Sequence, residues 1–298
     1  MGWVVSPSPC AGDRVIGKTS DLTISVFCLA INRLSLSLKS KHDMTYCLGI
    51  ITNDGLVMAA DSRTNAGVDY ISTYQKLFDF SHPGERVLLL CSAGNLSVTQ
   101  GVVSELEKDL KVQEDTNLHN ITSMYEVARY IGGKLRKIQE YDEVWLKKDG
   151  IEAQCSLLLG GQIQGQNPEL FLIYSQGNFI HATSDTPFLQ IGETKYGKPI
   201  LDRTLSYNTN LESAAKCALL SIDSTMKSNI SVGPPINLIM YEKDSLAIKH
   251  RLRLRLGDPY LAKIRQLWEE SLKQAFDCIP HINWQHREDD SPENILID

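Results

Sequence analysis

Thr45, Asp61 and Lys76 are the residues whose types and order could carry chemistry in this chain. A threonine hydroxyl is a weak nucleophile at neutral pH and needs a base. A threonine at an amino terminus has one in its own α-amine, whose pKa is about 7.7–8.0, against about 10.4 for lysine. A neighbouring ammonium would lower the pKa of that amine, and a carboxylate would keep the ammonium charged and oriented. The three residues together predict a hydrolase with an amino-terminal threonine nucleophile.

The oxyanion that forms in such a reaction needs a backbone N–H donor. Gly94 follows Ser92 and Ala93 at the end of a predicted strand, directly before a predicted helix. Glycine allows a ligand to approach the backbone closely, and the start of a helix presents N–H groups without helical partners. We therefore predict that the N–H group of Gly94 is the oxyanion donor.

Thr45 can react in this way only if the 44 residues before it are absent from the mature enzyme. Residues 1–43 show no clear helical or strand period, and three explanations stay open: a secretory signal, a self-cleaved propeptide, or translation upstream of the true start. The apolar stretch from Leu22 to Ile31 has the length of a signal-peptide core, but acidic residues flank it and no clean cleavage site follows. Met44 favours upstream translation, because an initiator methionine before threonine is readily trimmed.

The strands and helices that must position these residues come in alternating runs. The first predicted run of strands covers Thr45–Thr52, Leu56–Asp61, Tyr74–Phe80 and Arg86–Ser92. Two amphipathic helices follow, and the second begins with a capping box from Ser123 to Glu126. The later predicted strands are Cys155–Gly160, Leu170–Tyr174, Phe179–Ala182, Ile236–Tyr241 and Leu246–Leu256. Between them lie two predicted helices, near Tyr196–Leu205 and across Leu211–Met226.

This order is neither the strict strand–helix alternation of a doubly wound fold nor an all-β pattern. It predicts an α+β fold in which two antiparallel sheets lie face to face with a helix pair outside each, a four-layer αββα sandwich over residues 45–256. Residues 257–298 predict a C-terminal helical extension and tail. Asp258 and Pro259 form its N-cap and first position, and an apolar stripe follows at Leu261, Ile264, Trp268, Leu272 and Phe276.

The composition excludes several classes of protein. The chain is 42% hydrophobic and 22% charged, as in ordinary globular proteins, and its net charge of -6 gives no reason to expect a nucleic-acid partner. No apolar run reaches the roughly 20 residues of a membrane-spanning helix. Seven scattered cysteines without a C-x-x-C pair fit free thiols in a reducing, cytoplasmic compartment. The histidines lack metal-site spacing, so we expect neither a metal nor a cofactor.

Several motifs resemble the catalytic β-subunits of proteasomes and their bacterial relatives, above all the Anbu family, the proposed ancestral β-subunit. The motifs occur in order from Met44 to the C-terminal region: Met44–Cys47, Ala60–Val68, Lys76, Pro83–Arg86, Ala93-Gly94 and Ile191–Pro199. The resemblance implies the αββα fold, Thr45 as nucleophile, Asp61 and Lys76 as its charged support, and the N–H of Gly94 as oxyanion donor. It also implies a homo-oligomer, either a ring or a ring-like helical stack.

The chain departs from the family pattern around the terminal amine. Related self-processing hydrolases usually carry glycine before the nucleophile, where this chain has Met44. Proteasome β-subunits also place an aspartate and two serines near the amine from later segments. Here Ser231 can stand for one serine, Ser228 falls where the aspartate would be, and Glu193 falls near the other serine position. A carboxylate from a different segment could therefore face the amine.

These residues predict a threonine-type hydrolase of peptide or amide bonds. Two alternatives stay open: an amidase for small non-protein amides on the same fold, and an inactive scaffold like the proteasome α-subunits. Against the scaffold stand Thr45, Asp61 and Lys76 together, since a scaffold does not need all three. The sequence shows no ATPase module, so protein substrates would require a separate unfoldase or adaptor.

Overall fold

Within the residues that the computed structural model describes, 45–65, 71–282 and 284, runs of strands alternate with pairs of helices. The predicted N-terminal segment, 1–44, lies outside these residues. The first part contains β1 (Tyr46–Thr52), β2 (Gly55–Ala60), β3 (Arg63–Asn65), β4 (Ile71–Thr73), β5 (Leu77–Asp79), β6 (Arg86–Gly94), α1 (Leu96–Val112) and α2 (Met124–Lys148). The second part contains β7 (Cys155–Ile163), β8 (Glu169–Ile173), β9 (Phe179–His181), β10 (Phe188–Gly192), α3 (Lys198–Thr204), α4 (Leu211–Ser228), β11 (Ile236–Glu242), β12 (His250–Leu254) and α5 (Pro259–Asp277).

Two five-stranded antiparallel sheets form the centre of the domain, in the orders β10-β1-β2-β11-β12 and β5-β6-β7-β8-β9. The short hairpin of β3 and β4 stands apart from both. The turn between β1 and β2 is formed by Asn53, Asp54 and Gly55, a residue combination typical of hairpins. Gly55 has a φ of 144°, and a Cβ there would lie 2.0 Å from the carbonyl oxygen of Tyr241, so only glycine fits.

Successive side chains of each strand point to opposite faces of its sheet, so the buried residues form three apolar layers. On β1, Tyr46, Leu48 and Ile50 pack toward α3 and α4, whereas Cys47 and Ile51 pack between the sheets. The same alternation on β6 sends Leu88 and Leu90 toward α1 and α2, and Val87 and Leu89 into the inter-sheet layer. Each fully buried aliphatic side chain contributes about 1.5–3 kcal/mol. Three apolar layers between four structural layers confirm the predicted αββα sandwich.

Several strands differ from the prediction. The hairpin of β3 and β4 and the edge strand β10 were not predicted, and the final strand is His250–Leu254 rather than Leu246–Leu256. The last strand is shorter because the preceding turn needs left-handed backbone at Asp244 and Leu246, which have φ values of 62° and 44°.

The C-terminal helix begins as predicted, since a side-chain oxygen of Asp258 accepts a hydrogen bond from the Tyr260 N–H at 2.9 Å. The apolar stripe of this helix is covered over only part of its length. Leu261 is buried against α4, but Leu272 and Phe276 are 49% and 73% exposed. The helix packs on the domain only through its first turns. Among the described residues, no helix is long and apolar enough to cross a membrane.

Candidate active site

Thr45 lies directly before β1 and is 8% exposed. Its carbonyl oxygen accepts a hydrogen bond from the Glu193 N–H at 2.8 Å. Gly192 packs against the same carbonyl, where a Cβ would lie 2.0 Å from the oxygen, and its φ is 83°. The backbone of Thr45 is therefore fixed by the residues at the end of β10.

The next residue, Tyr46, is anchored at both its side chain and its backbone. Its hydroxyl forms a 2.6 Å hydrogen bond with Ser221 on α4 and a second one with Gln190 on β10. Burial raises the pKa of Tyr46 to about 12, so the hydroxyl stays neutral. The Tyr46 N–H donates to Asp61 Oδ1 at 3.0 Å. These contacts fix the start of β1, and with it the position of Thr45.

Asp61 follows β2 and has no exposed surface. Besides Tyr46, its Oδ1 accepts a hydrogen bond from Lys76 Nζ at 2.9 Å. Its Oδ2 accepts from the N–H groups of Arg63 and Gly233, each at 3.1 Å. Four donors converge on the two oxygens, an arrangement that fits an ionised carboxylate and leaves no position for a carboxyl proton.

Lys76 reaches this carboxylate from the segment that leads into β5. It is 4% exposed, and its ammonium also donates to the Arg63 carbonyl oxygen at 2.6 Å. Burial raises the pKa of the Asp61 carboxyl above its ordinary value, while the Lys76 ammonium and the backbone N–H groups of Tyr46 and Gly233 oppose that rise. The pair therefore forms a buried, charged unit at the start of β1.

The prediction that Lys76 lies within a strand is wrong. Strand β5 starts at Leu77, and Tyr74–Lys76 have irregular backbone. The reason is that this segment changes partners: the Tyr74 N–H donates to the Ser62 carbonyl, whereas the Lys76 carbonyl accepts from the Ser92 N–H. The crossing from one ladder to another brings the lysine to Asp61.

Gly94 ends β6, and Asn95 is the N-cap of α1. Gly94 has a φ of 109°, and a Cβ there would lie 2.5 Å from the Gln154 carbonyl oxygen, so the position requires glycine. The Asn95 side chain accepts hydrogen bonds from the N–H groups of Ser97 and Val98. Because the helix start is capped in this way, the oxyanion prediction depends on the N–H of Gly94 itself.

Glu193, Ser228 and Ser231, the residues that the sequence places near the terminal amine, lie in two segments that the structure connects. Besides its N–H contact with Thr45, Glu193 accepts a hydrogen bond at its carboxylate from Asn229 Nδ2 at 3.2 Å. Asn229 Oδ1 in turn accepts from the Ser231 N–H at 2.9 Å. Glu193 is thus brought next to Thr45, and Ser231 is two hydrogen bonds from Glu193. Ser228 is the exposed last residue of α4, and the hydrogen bonds just described do not include it.

The sequence reasoning did not identify Gly233, Asn229 or the backbone of Arg63 as parts of this site. Arg63 lies beside Asp61 in the sequence, but its guanidinium donates to the Ile230 carbonyl at 2.7 Å, and only its N–H contacts the carboxylate. Gly233 is 172 residues from Asp61, and its Cβ would lie 2.3 Å from the Arg63 guanidinium carbon. The one available signal was the glycine itself, in the loop before β11.

The described ranges contain no group of three or more His, Cys, Asp or Glu side chains that could hold a metal ion. A buried threonine, a buried ammonium–carboxylate pair and a glycine at a strand end are the groups that acyl transfer by an amino-terminal threonine would use.

Comparison with known proteins identifies the family. The model of the proteasome subunit family matches residues 44–240. Anbu (ancestral beta-subunit) from Yersinia bercovieri is 49% identical, with a TM-score of 0.76 over 80% of this chain and 99% of that chain. A structure described as the helical assembly of the Anbu complex from Pseudomonas aeruginosa is 44% identical, with a TM-score of 0.77 over 81% of this chain and all of that chain, 100%.

A more distant relative is the proteasome subunit beta of Haloquadratum walsbyi (strain DSM 16790 / HBSQ001), which is 22% identical over 205 residues, 68% of this chain and 76% of that protein. The resemblance seen in the motifs is therefore confirmed, and the chain belongs to the proteasome subunit family and, within it, to the Anbu (ancestral beta-subunit) proteins.

Proposed function

We propose that this protein is a threonine-type hydrolase of peptide or amide bonds, with Thr45 as its amino-terminal nucleophile. The observation that carries the proposal is the buried pair of Asp61 and Lys76 at the start of β1. A buried ion pair is often no more stabilising than a hydrophobic replacement of the same size, because both charges lose their hydration. Buried charges beside a candidate nucleophile are instead typical of catalytic sites.

The reaction follows from the positions of these groups. Thr45 Oγ attacks the carbonyl carbon, and its α-amine accepts the hydroxyl proton and passes it to the leaving amine. The N–H of Gly94 stabilises the oxyanion. Water then attacks the ester on Thr45, with the same amine as base, and releases the acid. The ammonium of Lys76 lowers the pKa of the amine, and Asp61 keeps that ammonium charged and oriented.

The mechanism requires an enzyme that begins at Thr45, so residues 1–44 would be absent from the mature form. We propose that residues 45–256 form the hydrolase domain and residues 257–298 its helical extension and tail. The test is the intact mass and first residue of the protein from its native host. A first residue of Thr45 supports the proposal, whereas a chain that retains Met1 would be a precursor or a scaffold.

Covalent labelling tests the nucleophile directly. Thr45→Ala should abolish both turnover and labelling by threonine-directed electrophiles, and Thr122→Ala, an exposed threonine before α2, is the matched control. Labelling that persists at another residue in Thr45→Ala would overturn the assignment. Parallel assays with unstructured proteins and short amides separate a peptidase from a small-amide amidase, the alternative on the same fold.

The proposed working form is a cytoplasmic homo-oligomer, a ring or a ring-like helical stack. The family membership and the helical assembly described for the Pseudomonas aeruginosa relative support this proposal. A separate unfoldase or adaptor would deliver folded substrates. Native mass measurement on the purified protein tests the assembly, and a monomer at micromolar concentration would contradict it.

A further inference from the structure

A cavity of about 350 Å³ lies between the ends of β6, β7, β8 and β10. Its lining includes Gly94 and Gly192, the glycines that end β6 and β10. Gly192 packs on the Thr45 carbonyl, and Gly94 carries the proposed oxyanion N–H. The cavity therefore lies beside the bond that Thr45 would attack.

The cavity and the charged pair lie on opposite sides of β1. In the first sheet β1 is between β10 and β2. Gly192 is on the β10 side, whereas Asp61 follows β2. A substrate held at Thr45 thus has the buried charges on one side and the cavity on the other, so the cavity is separate from the groups that activate the nucleophile.

The walls of the cavity are neutral, and they include the polar side chains of Gln154, Tyr174, Ser175, Gln190 and Thr194. Ala93, Leu172 and Ile191 form its apolar part and continue the core between the sheets. Ser156 pairs with Ala93 across β6 and β7, so its side chain faces the same space. Burial raises the pKa of Cys155 to about 12, which leaves that thiol uncharged at neutral pH.

No lining residue of this cavity, all of which belong to the described part of the chain, carries a formal charge at neutral pH. The carboxylate of the adjacent Glu193 is held by the Asn229 amide. A charged side chain that entered would lose hydration without gaining an opposite charge. An apolar side chain would bury its surface against Ala93, Leu172 and Ile191, and the Ser156 hydroxyl could satisfy one polar group.

We propose that this cavity binds one uncharged, mainly apolar side chain of the substrate, on a residue that flanks the bond attacked by Thr45. This inference rests on the proposed function, and it narrows the substrates to peptides or amides with a neutral residue at that position. We expect Ser156 to decide the selectivity, because it is half-buried and faces the cavity beside Ala93, its cross-strand partner.

The test measures binding separately from catalysis. Fluorescent peptides with a ketomethylene group in place of the attacked amide cannot be hydrolysed, and they carry leucine, lysine or glutamate at each flanking position in turn. The protein is used as it accumulates in its host, and dissociation constants come from fluorescence anisotropy. We expect the leucine peptide of one position to bind at least about tenfold more tightly than its charged counterparts.

Ser156→Asp should reverse this order by favouring the lysine peptide, a gain that misfolding cannot produce. Ser104→Asp, on the exposed face of α1, adds the same charge elsewhere and should change nothing. As a second variant, Ser156→Leu fills the cavity and should weaken the leucine peptide relative to an alanine one. Equal binding of neutral and charged peptides, or no binding of any peptide, overturns the proposal. A change of selectivity in Ser104→Asp as large as that in Ser156→Asp also overturns it.

Hydrolysis of the corresponding ordinary amides is measured in parallel. Selective binding without any hydrolysis would leave the cavity assignment intact and remove the proposed function. Hydrolysis with no selectivity at either flanking position would support the function and remove the cavity assignment.

Discussion

Replacing Asp61 with asparagine should destabilise the protein by about 3–5 kcal/mol, because it leaves a buried ammonium without its counter-charge. The structure shows how the loss arises. Oδ1 accepts from Tyr46 and Lys76, and Oδ2 accepts from Arg63 and Gly233. An asparagine has one oxygen and one NH₂ group, so in either orientation its NH₂ faces two donors. Each buried donor left without an acceptor costs about 1–3 kcal/mol, and a charged one costs more.

Lys76→Met, which removes the other charge of the pair, is the variant to compare with Asp61→Asn. It leaves a carboxylate that still accepts three backbone N–H groups, and it removes the donor to the Arg63 carbonyl. We therefore expect a smaller loss of stability, about 1–3 kcal/mol. The double variant contains neither buried charge, so its loss should fall short of the sum of the two single losses by about 2 kcal/mol.

Urea unfolding followed by circular dichroism, at one protein concentration and pH 7, measures all four proteins. Additive losses, or an Asp61→Asn protein within about 1 kcal/mol of the wild type, would refute the view of the pair as a coupled buried unit. Labelling of Thr45 separates chemistry from stability: Lys76→Met should lose labelling although it remains folded. Full labelling of that variant would remove Lys76 from the mechanism.

Three further predictions follow from particular contacts. In a protein that begins at Thr45, activity should rise with pH as the α-amine loses its proton. The pKa of that amine should lie below the usual 7.7–8.0, because the Lys76 ammonium disfavours the protonated amine. A pH–rate profile that rises only above that range would contradict this prediction. Gly192→Ala should abolish labelling of Thr45, because the added Cβ would clash with the Thr45 carbonyl. Gly84 has similar left-handed backbone but open space around it, so Gly84→Ala is the control. It should lower the stability measured by thermal unfolding by only about 1–2 kcal/mol. Burial alone would raise the pKa of the Asp109 carboxyl. Hydrogen bonds from Lys134 and Tyr130 outweigh that effect and hold the pKa below its ordinary value. Asp109→Asn should therefore destabilise the protein by about 1–3 kcal/mol at pH 7. The difference in stability between wild type and variant should disappear as the pH falls from about 3.9 through the folded-state pKa of Asp109. A difference that persists in acid would contradict the lowered pKa of Asp109.

The residues of the candidate site were easier to select from sequence than the contacts that hold them. Thr45, Asp61 and Lys76 could be selected because an amino-terminal nucleophile needs an ammonium and a carboxylate. The contact of Gly233 with Asp61 spans 172 residues, and a backbone N–H donor has no side-chain signature. Periodicity likewise indicated that one face of α5 is apolar, but it could not indicate that only Leu261 is buried. Such patterns report which face avoids water and not which element covers it.

Among the residues that the structure describes, the contacts that place Thr45 come from its C-terminal side. Its carbonyl is held by Glu193 and packed on Gly192, and the following N–H is bound by Asp61. A residue placed by its carbonyl and by the next strand keeps its position when its own nitrogen changes from an amide to a free amine. We therefore expect the site to exist before Thr45 is exposed, so that the free amine is the last component the enzyme acquires.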